Sequence, residues 1–302
     1  MKKYCGTLLL TLLLIFGSAA EGTESVSYLG PEGTYTEEAA QFWFGTEQTL
    51  IPAGTVDEAI GEMLSGRTDY AVIPQENTLG GPVVSYVDAL IAAEEAYVVG
   101  EVVLPIRQTL MGVPGASLAG IRTVCSHVQG LTQSAAWRAE HLKEAEAVEM
   151  ASTAAAAAYV AQQQDPSVAA VAAPGAASLY GLQVLAENVQ ISEANKTRFY
   201  VLARQPLEEE GLTRAVFTAA CRADRIDDII LALRGAGLEL VALHDRPEGS
   251  ELGRYHYVLE AENQEGISQE VISSLCEAEG LRFAGCFQAK EKGLSAASSP
   301  IP

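Results

Sequence analysis

Residues 28–40 read Tyr28-Leu-Gly-Pro-Glu-Gly-Thr34-Tyr-Thr-Glu-Glu-Ala-Ala40, and the layering of the chain follows from them. A β-prone run, Val26–Leu29, meets a Gly/Pro turn, and helix-forming Glu37-Glu-Ala-Ala40 follows at once. Three more junctions of this kind lie downstream. Tyr70–Ile73 runs into Pro74-Gln-Glu76-Asn77-Thr78-Leu-Gly-Gly81, and Ile121–Cys125 into Ser126-His127-Val-Gln129. Ser152-Thr153 precedes an alanine run through Ala161 that is strongly helix-forming. Further strand-like runs are Tyr97–Ile106, Val168–Ala173 and Phe199–Leu202, and Leu131, Ala135, Ala139 and Leu142 fall on one helix face. This alternation predicts α/β layers with largely parallel sheets over residues 26–204.

The order changes after the acidic linker Gln205-Pro-Leu-Glu-Glu-Glu-Gly-Leu212. Strand, helix, two strands, helix and strand follow across residues 213–288, the βαββαβ order of a ferredoxin-like domain. The small, polar residues 289–302 read as a disordered tail. At the other end, Lys2-Lys3, the apolar run Leu8–Phe16 and Ser18-Ala19-Ala20 form a secretory signal pattern over residues 1–20. A periplasmic or secreted protein is the expectation, with a cytoplasmic one as the alternative. Cys125, Cys221, Cys276 and Cys286 form no CxxC pair, so no zinc site is expected, and buried free thiols are expected over a Cys276–Cys286 pairing.

A formal net charge of −20 argues against nucleic acid and against an anionic membrane as partner. An anionic ligand would need local donors, and the four strand-to-helix junctions supply hydroxyls, amides and helix N-termini. The same residue types are also ordinary N-caps. One cluster stands out in Glu193-Ala-Asn-Lys-Thr-Arg-Phe-Tyr-Val-Leu-Ala203, where Lys196, Thr197 and Arg198 open a strand. Ser126 and His127 are adjacent and point differently, so they do not form a nucleophile–base pair. No GxSxG, HExxH, P-loop or dinucleotide pattern is present, and no cofactor or metal is called for.

Taken in order, these blocks resemble the prephenate dehydratase family. Residues 28–40 match its GPxGTFSxxAA opening, and Glu76-Asn77-Thr78 with Gly81, Val83, Asp88 and Leu90 its ENSxxGxVxxxxDxL block. Ser126-His127-Val-Gln129 with Gln133 is similar to SHPQxxxQ, and Ser152-Thr153 to the family's ST. Ala176–Leu182 and Asn195–Phe199 match AAxxYGL and N-x-TRF. The resemblance implies two lobes like those of a periplasmic binding protein, about 26–102 with 187–204 and 103–186. It also implies a C-terminal ACT domain, a homodimer or homotetramer, and prephenate as substrate. Prephenate would lose water and carbon dioxide to give phenylpyruvate. Thr197 would assist the departing hydroxyl, and Arg198 would hold a substrate carboxylate or anchor the lobe. Thr34, Glu76, Asn77, Thr78, Ser126, Gln133, Ser152, Thr153 and Phe199 would complete the substrate site.

The departures fall mostly in the C-terminal domain. The family's ESRP reads His244-Asp245-Arg246-Pro247, and its GAL aligns with Asp224-Arg225-Ile226. Loss of that glycine removes close backbone approach, so control by phenylalanine is not expected. Arogenate dehydration, prephenate decarboxylation without loss of the hydroxyl, and solute capture are the competing readings. Retention of Thr197 favours dehydration over the second of these.

Overall fold

The computed structural model describes residues 23–288. The leader and tail expected at residues 1–20 and 289–302 lie outside the described residues. The chain first builds β1 (Ser25–Leu29), α1 (Tyr35–Phe44), β2 (Thr49–Ala53), α2 (Val56–Leu64), β3 (Tyr70–Asn77), β4 (Gly81–Pro82), α3 (Val84–Ala92) and β5 (Tyr97–Pro105). It then crosses into a second lobe: β6 (Thr109–Gly112), β7 (Thr123–Ser126), α4 (Val128–Gln133), α5 (Ala135–His141), β8 (Glu146–Glu149), α6 (Thr153–Gln163), β9 (Val168–Ala172), α7 (Pro174–Leu179) and β10 (Gln183–Ala186). Residues 187–195 lead back to the first lobe, where β11 (Lys196–Ala203) enters between β3 and β5.

The two lobe sheets run β2-β1-β3-β11-β5, with β4 on β3, and β10-β6-β9-β7-β8. Both are mixed. The returning strand β11 is antiparallel to β3 and β5, and β6 is antiparallel to β9 and β10. An expectation of largely parallel sheets therefore holds for β1–β2–β3 and β7–β8–β9 and fails where the chain crosses between lobes.

Alternation along β11 sorts its side chains by face. Phe199 and Val201 join α1 residues and Val26, Tyr28 and Val72 in one core. Tyr200 and Leu202 join α2 and α3 in the other. That second core also contains Val216, Val258, Ala284 and Phe287 of the C-terminal domain. This domain is β12 (Arg214–Arg222), α8 (Ile226–Gly235), β13 (Glu239–Pro247), β14 (Arg254–Glu262), α9 (Gln269–Glu279) and β15 (Arg282–Phe287), in the expected βαββαβ order with sheet order β13-β14-β12-β15. Gly285, at φ +128, lies so close to β5 that a Cβ there would sit 2.2 Å from the Val98 carbonyl oxygen.

The single helix expected over 131–142 is broken at Ser134, whose backbone sits at φ −94, ψ 0. Its hydroxyl donates to the Gly130 carbonyl oxygen at 2.7 Å, a back-bond that bends helices. The four cysteines at 125, 221, 276 and 286 are free thiols, with Cys125 and Cys286 buried.

Candidate active site

The lobes enclose a cavity of about 210 Å³. Its walls come from the residue types that mark strand-to-helix junctions. Thr34 caps α1, its Oγ1 accepting from the Glu37 N–H, and Ser152 caps α6 by accepting from the Ala155 N–H at 2.9 Å. Tyr35, Thr36 and Thr153 line the same space just inside those helices. The first-turn N–H groups of α1 and α6 have no intrahelical acceptors, which makes both ends positive. His127 caps α4, its Nδ1 accepting from the Gln129 N–H at 3.3 Å.

Amides fill the remainder. Asn77 and Thr197, 6% and 9% exposed, stand side by side on β3 and β11. Asn77 Nδ2 donates to Thr197 Oγ1 at 2.9 Å. From the second lobe, Gln129 Nε2 donates to Asn77 Oδ1 at 3.2 Å. Gln133 Oε1 accepts from Gln108 Nε2 at 2.9 Å. Burial holds the Tyr35 phenol well above the usual range, with Glu38 adding to it, so its hydroxyl stays protonated and donates to the Arg107 carbonyl oxygen at 2.7 Å. Among the described residues, neither Lys nor Arg lines the cavity.

Of the residues singled out in the sequence, Thr34, Asn77, Gln133, Ser152, Thr153 and Thr197 meet at this cavity. Five others do not. Arg198 is the main correction. One residue along β11 from Thr197, it projects from the opposite face and grips Glu260 of β14 with Nη1–Oε1 and Nη1–Oε2 distances of 3.0 and 2.9 Å. Burial opposes its charge, and the Glu260 and Glu101 carboxylates more than offset that. Arg198 therefore anchors the lobe to the C-terminal domain, and the substrate-carboxylate reading is withdrawn. Glu76 is its cross-strand neighbour on that same far face.

Phe199 is 1% exposed within the first lobe's core. Thr78 fastens a loop, donating to the Ala194 carbonyl oxygen at 2.8 Å and accepting from the Lys196 N–H at 3.0 Å. Ser126 points inward and donates to the Val171 carbonyl oxygen at 2.6 Å. Gly130 is forced by this serine, since a Cβ there would lie 2.3 Å from Ser126 Oγ. Lys196 is exposed and outside the lining, so no positive pocket forms at the strand mouth.

Sequence reasoning passed over Gln108, which sits in the crossover between β5 and β6 with no turn or cap signal to mark it. It also gave His127 and Gln129 no place in the substrate site, although both stand at a junction it had marked and both line the cavity.

The residues aligned with the ESRP block lie at the domain junction. Tyr86 and His244 are hydrogen-bonded through the phenol and Nδ1, and Arg246 Nε pairs with Asp88 of α3 at 2.6 Å. Asp245 and Pro247 are exposed.

Comparison with known proteins bears on this geometry. The family model described as prephenate dehydratase matches residues 26–207. A prephenate dehydratase from Amycolatopsis methanolica is 32% identical, over 91% of this chain and 91% of its own. The crystal structure of an Arthrobacter aurescens prephenate dehydratase in complex with L-Phe superposes with a TM-score of 0.80 at 28% identity, covering 91% and 93% of the two chains. A protein described as a novel type of quorum quenching acylase, GqqA, shares the fold at a TM-score of 0.79 and 24% identity, over 89% and 99% of the chains. That last likeness concerns the fold alone; the family model and the Amycolatopsis relative, matched across the lobes that build the cavity, place this chain in the prephenate dehydratase family.

Proposed function

We propose that the chain converts prephenate to phenylpyruvate, water and carbon dioxide. In that reaction the ring C–C bond to the carboxylate breaks and carbon dioxide leaves. Its electron pair enters the ring as the C4–O bond breaks, and the departing hydroxide takes up one proton as water. Negative charge grows on the leaving oxygen, so a fixed donor there stabilises the transition state. Thr197 lines the cavity wall, which supports giving it that task.

The observation that carries the reading is a cavity rich in neutral donors, with neither Lys nor Arg among the described residues that line it. The carboxylate that departs as carbon dioxide loses its charge in the transition state. A cation fixed beside it would favour the bound substrate over the transition state and slow the step. Helix N-termini and amides bind a dianion through partial charges, so they impose a smaller penalty of that kind.

The test incubates purified protein with prephenate and, separately, with arogenate, and identifies the products. Phenylpyruvate is expected from prephenate, and Thr197→Ala should lower kcat by about 100-fold or more, the usual cost of losing one transition-state donor. Phenylalanine formed from arogenate alone would reassign the substrate. A non-aromatic product would point to decarboxylation, and tight binding without turnover would overturn the enzyme reading.

A further inference from the structure

Asn77 has both ends of its amide engaged. Its Oδ1 accepts from the backbone N–H groups of Leu79 at 3.0 Å and Gly80 at 2.9 Å, and from Gln129 Nε2 at 3.2 Å. Backbone N–H groups can only donate, so they settle which end of the amide is oxygen. Nδ2 therefore faces β11, where its two hydrogens serve Thr197 Oγ1 and Asn195 Oδ1 at 2.9 Å and the Lys196 carbonyl oxygen at 3.0 Å. An amide NH2 never accepts, which makes Thr197 Oγ1 the acceptor in this contact.

A hydroxyl held as an acceptor still has one hydrogen to give. No described residue receives the one on Thr197. Its side chain borders the cavity, so that hydrogen is available to a molecule bound there. We infer that Asn77 is a positioning residue: it holds the Thr197 hydroxyl as a donor toward the substrate rather than binding substrate itself. The inference rests on the dehydratase reading and specifies how the same hydroxyl is aimed. Three donors on Oδ1 polarise the amide and strengthen what Nδ2 donates. One of those donors, Gln129, belongs to the other lobe, so the aim of the hydroxyl and the approach of the lobes meet at a single side chain.

Asn77→Asp tests this directly. The substitution is nearly isosteric and leaves acceptors for the Leu79 and Gly80 N–H groups, so the loop keeps its anchor. It removes the donor, and an ionised carboxylate would instead draw the Thr197 hydrogen away from the cavity. Expected at about pH 8 is a kcat at least about 100-fold below wild type, on the scale of a lost transition-state donor. As pH falls and the introduced carboxyl takes up a proton, it can donate again, so the variant-to-wild-type ratio of kcat should climb. A merely structural role predicts a ratio that does not move with pH, and that result, or full activity at pH 8, overturns the inference.

Should the variant not fold, Thr197→Val gives an independent readout through the Asn77 side-chain amide in ¹⁵N-correlated NMR spectra. Removing the acceptor should shift one Asn77 amide proton upfield and speed its exchange with solvent. Unchanged signals overturn the inference. A wild type that leaves prephenate unaltered overturns the dehydratase reading itself, whereas an active wild type with variants behaving otherwise overturns this inference alone.

Discussion

At the residue scale, Thr197 and Arg198 show how far a motif can be read without a strand beneath it. Both stood out in the sequence because polar side chains opened a β-prone run in a strongly acidic chain. What was not legible was their division between two faces of β11, which sends one hydroxyl into the cavity and one guanidinium to Glu260. The guanidinium belongs to a buried cluster. Glu260, 1% exposed, also receives hydrogen bonds from Tyr200 and Arg214, and Glu101 lies 3.5 Å from Arg198 Nε. Burial pushes the Glu101 carboxyl up, and the nearby Arg198 guanidinium only partly offsets this. The folded protein thus holds a proton on Glu101 more readily than the unfolded chain does. Stability then falls as pH rises from the ordinary carboxyl range through the raised one. Glu101→Gln removes that loss. The variant should have a higher Tm than wild type near pH 7, with the difference vanishing below about pH 4, where both states carry the proton; a lower Tm near pH 7 would contradict this.

At the scale of elements, the long periodic signals were the readable ones. The alanine helix α6 and all six elements of the C-terminal domain lie where pattern places them. The short edge strands β2, β8 and β10 escaped, for reasons visible in their residues. β2 contains Pro52, β8 is charged at both ends, and β10 pairs on one side only. The docking of β15 against β5 likewise has no sequence signal beyond one glycine. Gly285 combines a backbone conformation that side chains rarely adopt with an approach closer than any Cβ permits. Gly285→Ala should destabilise the fold by about 2 kcal/mol or more, on the scale of strained and overpacked sites. Chemical denaturation checks the magnitude. Faster amide exchange along β5 and β15 than in the lobe 2 sheet would place the damage at this contact.

At the scale of the whole molecule, the C-terminal domain meets the first lobe through residues that in the family resemblance belong to phenylalanine control. Burial pushes the His244 imidazole below its usual range, which keeps it neutral against the Tyr86 hydroxyl, and Arg246 is occupied by Asp88. The turn aligned with GAL presents Asp224 and Arg225, the latter paired with Asp228 and Glu279, where a glycine would let a ligand approach. Activity unchanged by added phenylalanine is therefore the expected result, and strong inhibition in the same assay would contradict it.

The shared core has a consequence for modularity. The family model ends at residue 207, and read as text the chain is a catalytic module with an accessory appended through an acidic linker. Val216, Val258, Ala284 and Phe287 nonetheless pack in the same apolar cluster as Tyr200 and Leu202, and Glu260 holds Arg198 one residue from Thr197. The boundary that recombination would recognise is not one the core recognises. A gene fragment cut there would inherit the cavity residues of β11 without the surface that supports their strand.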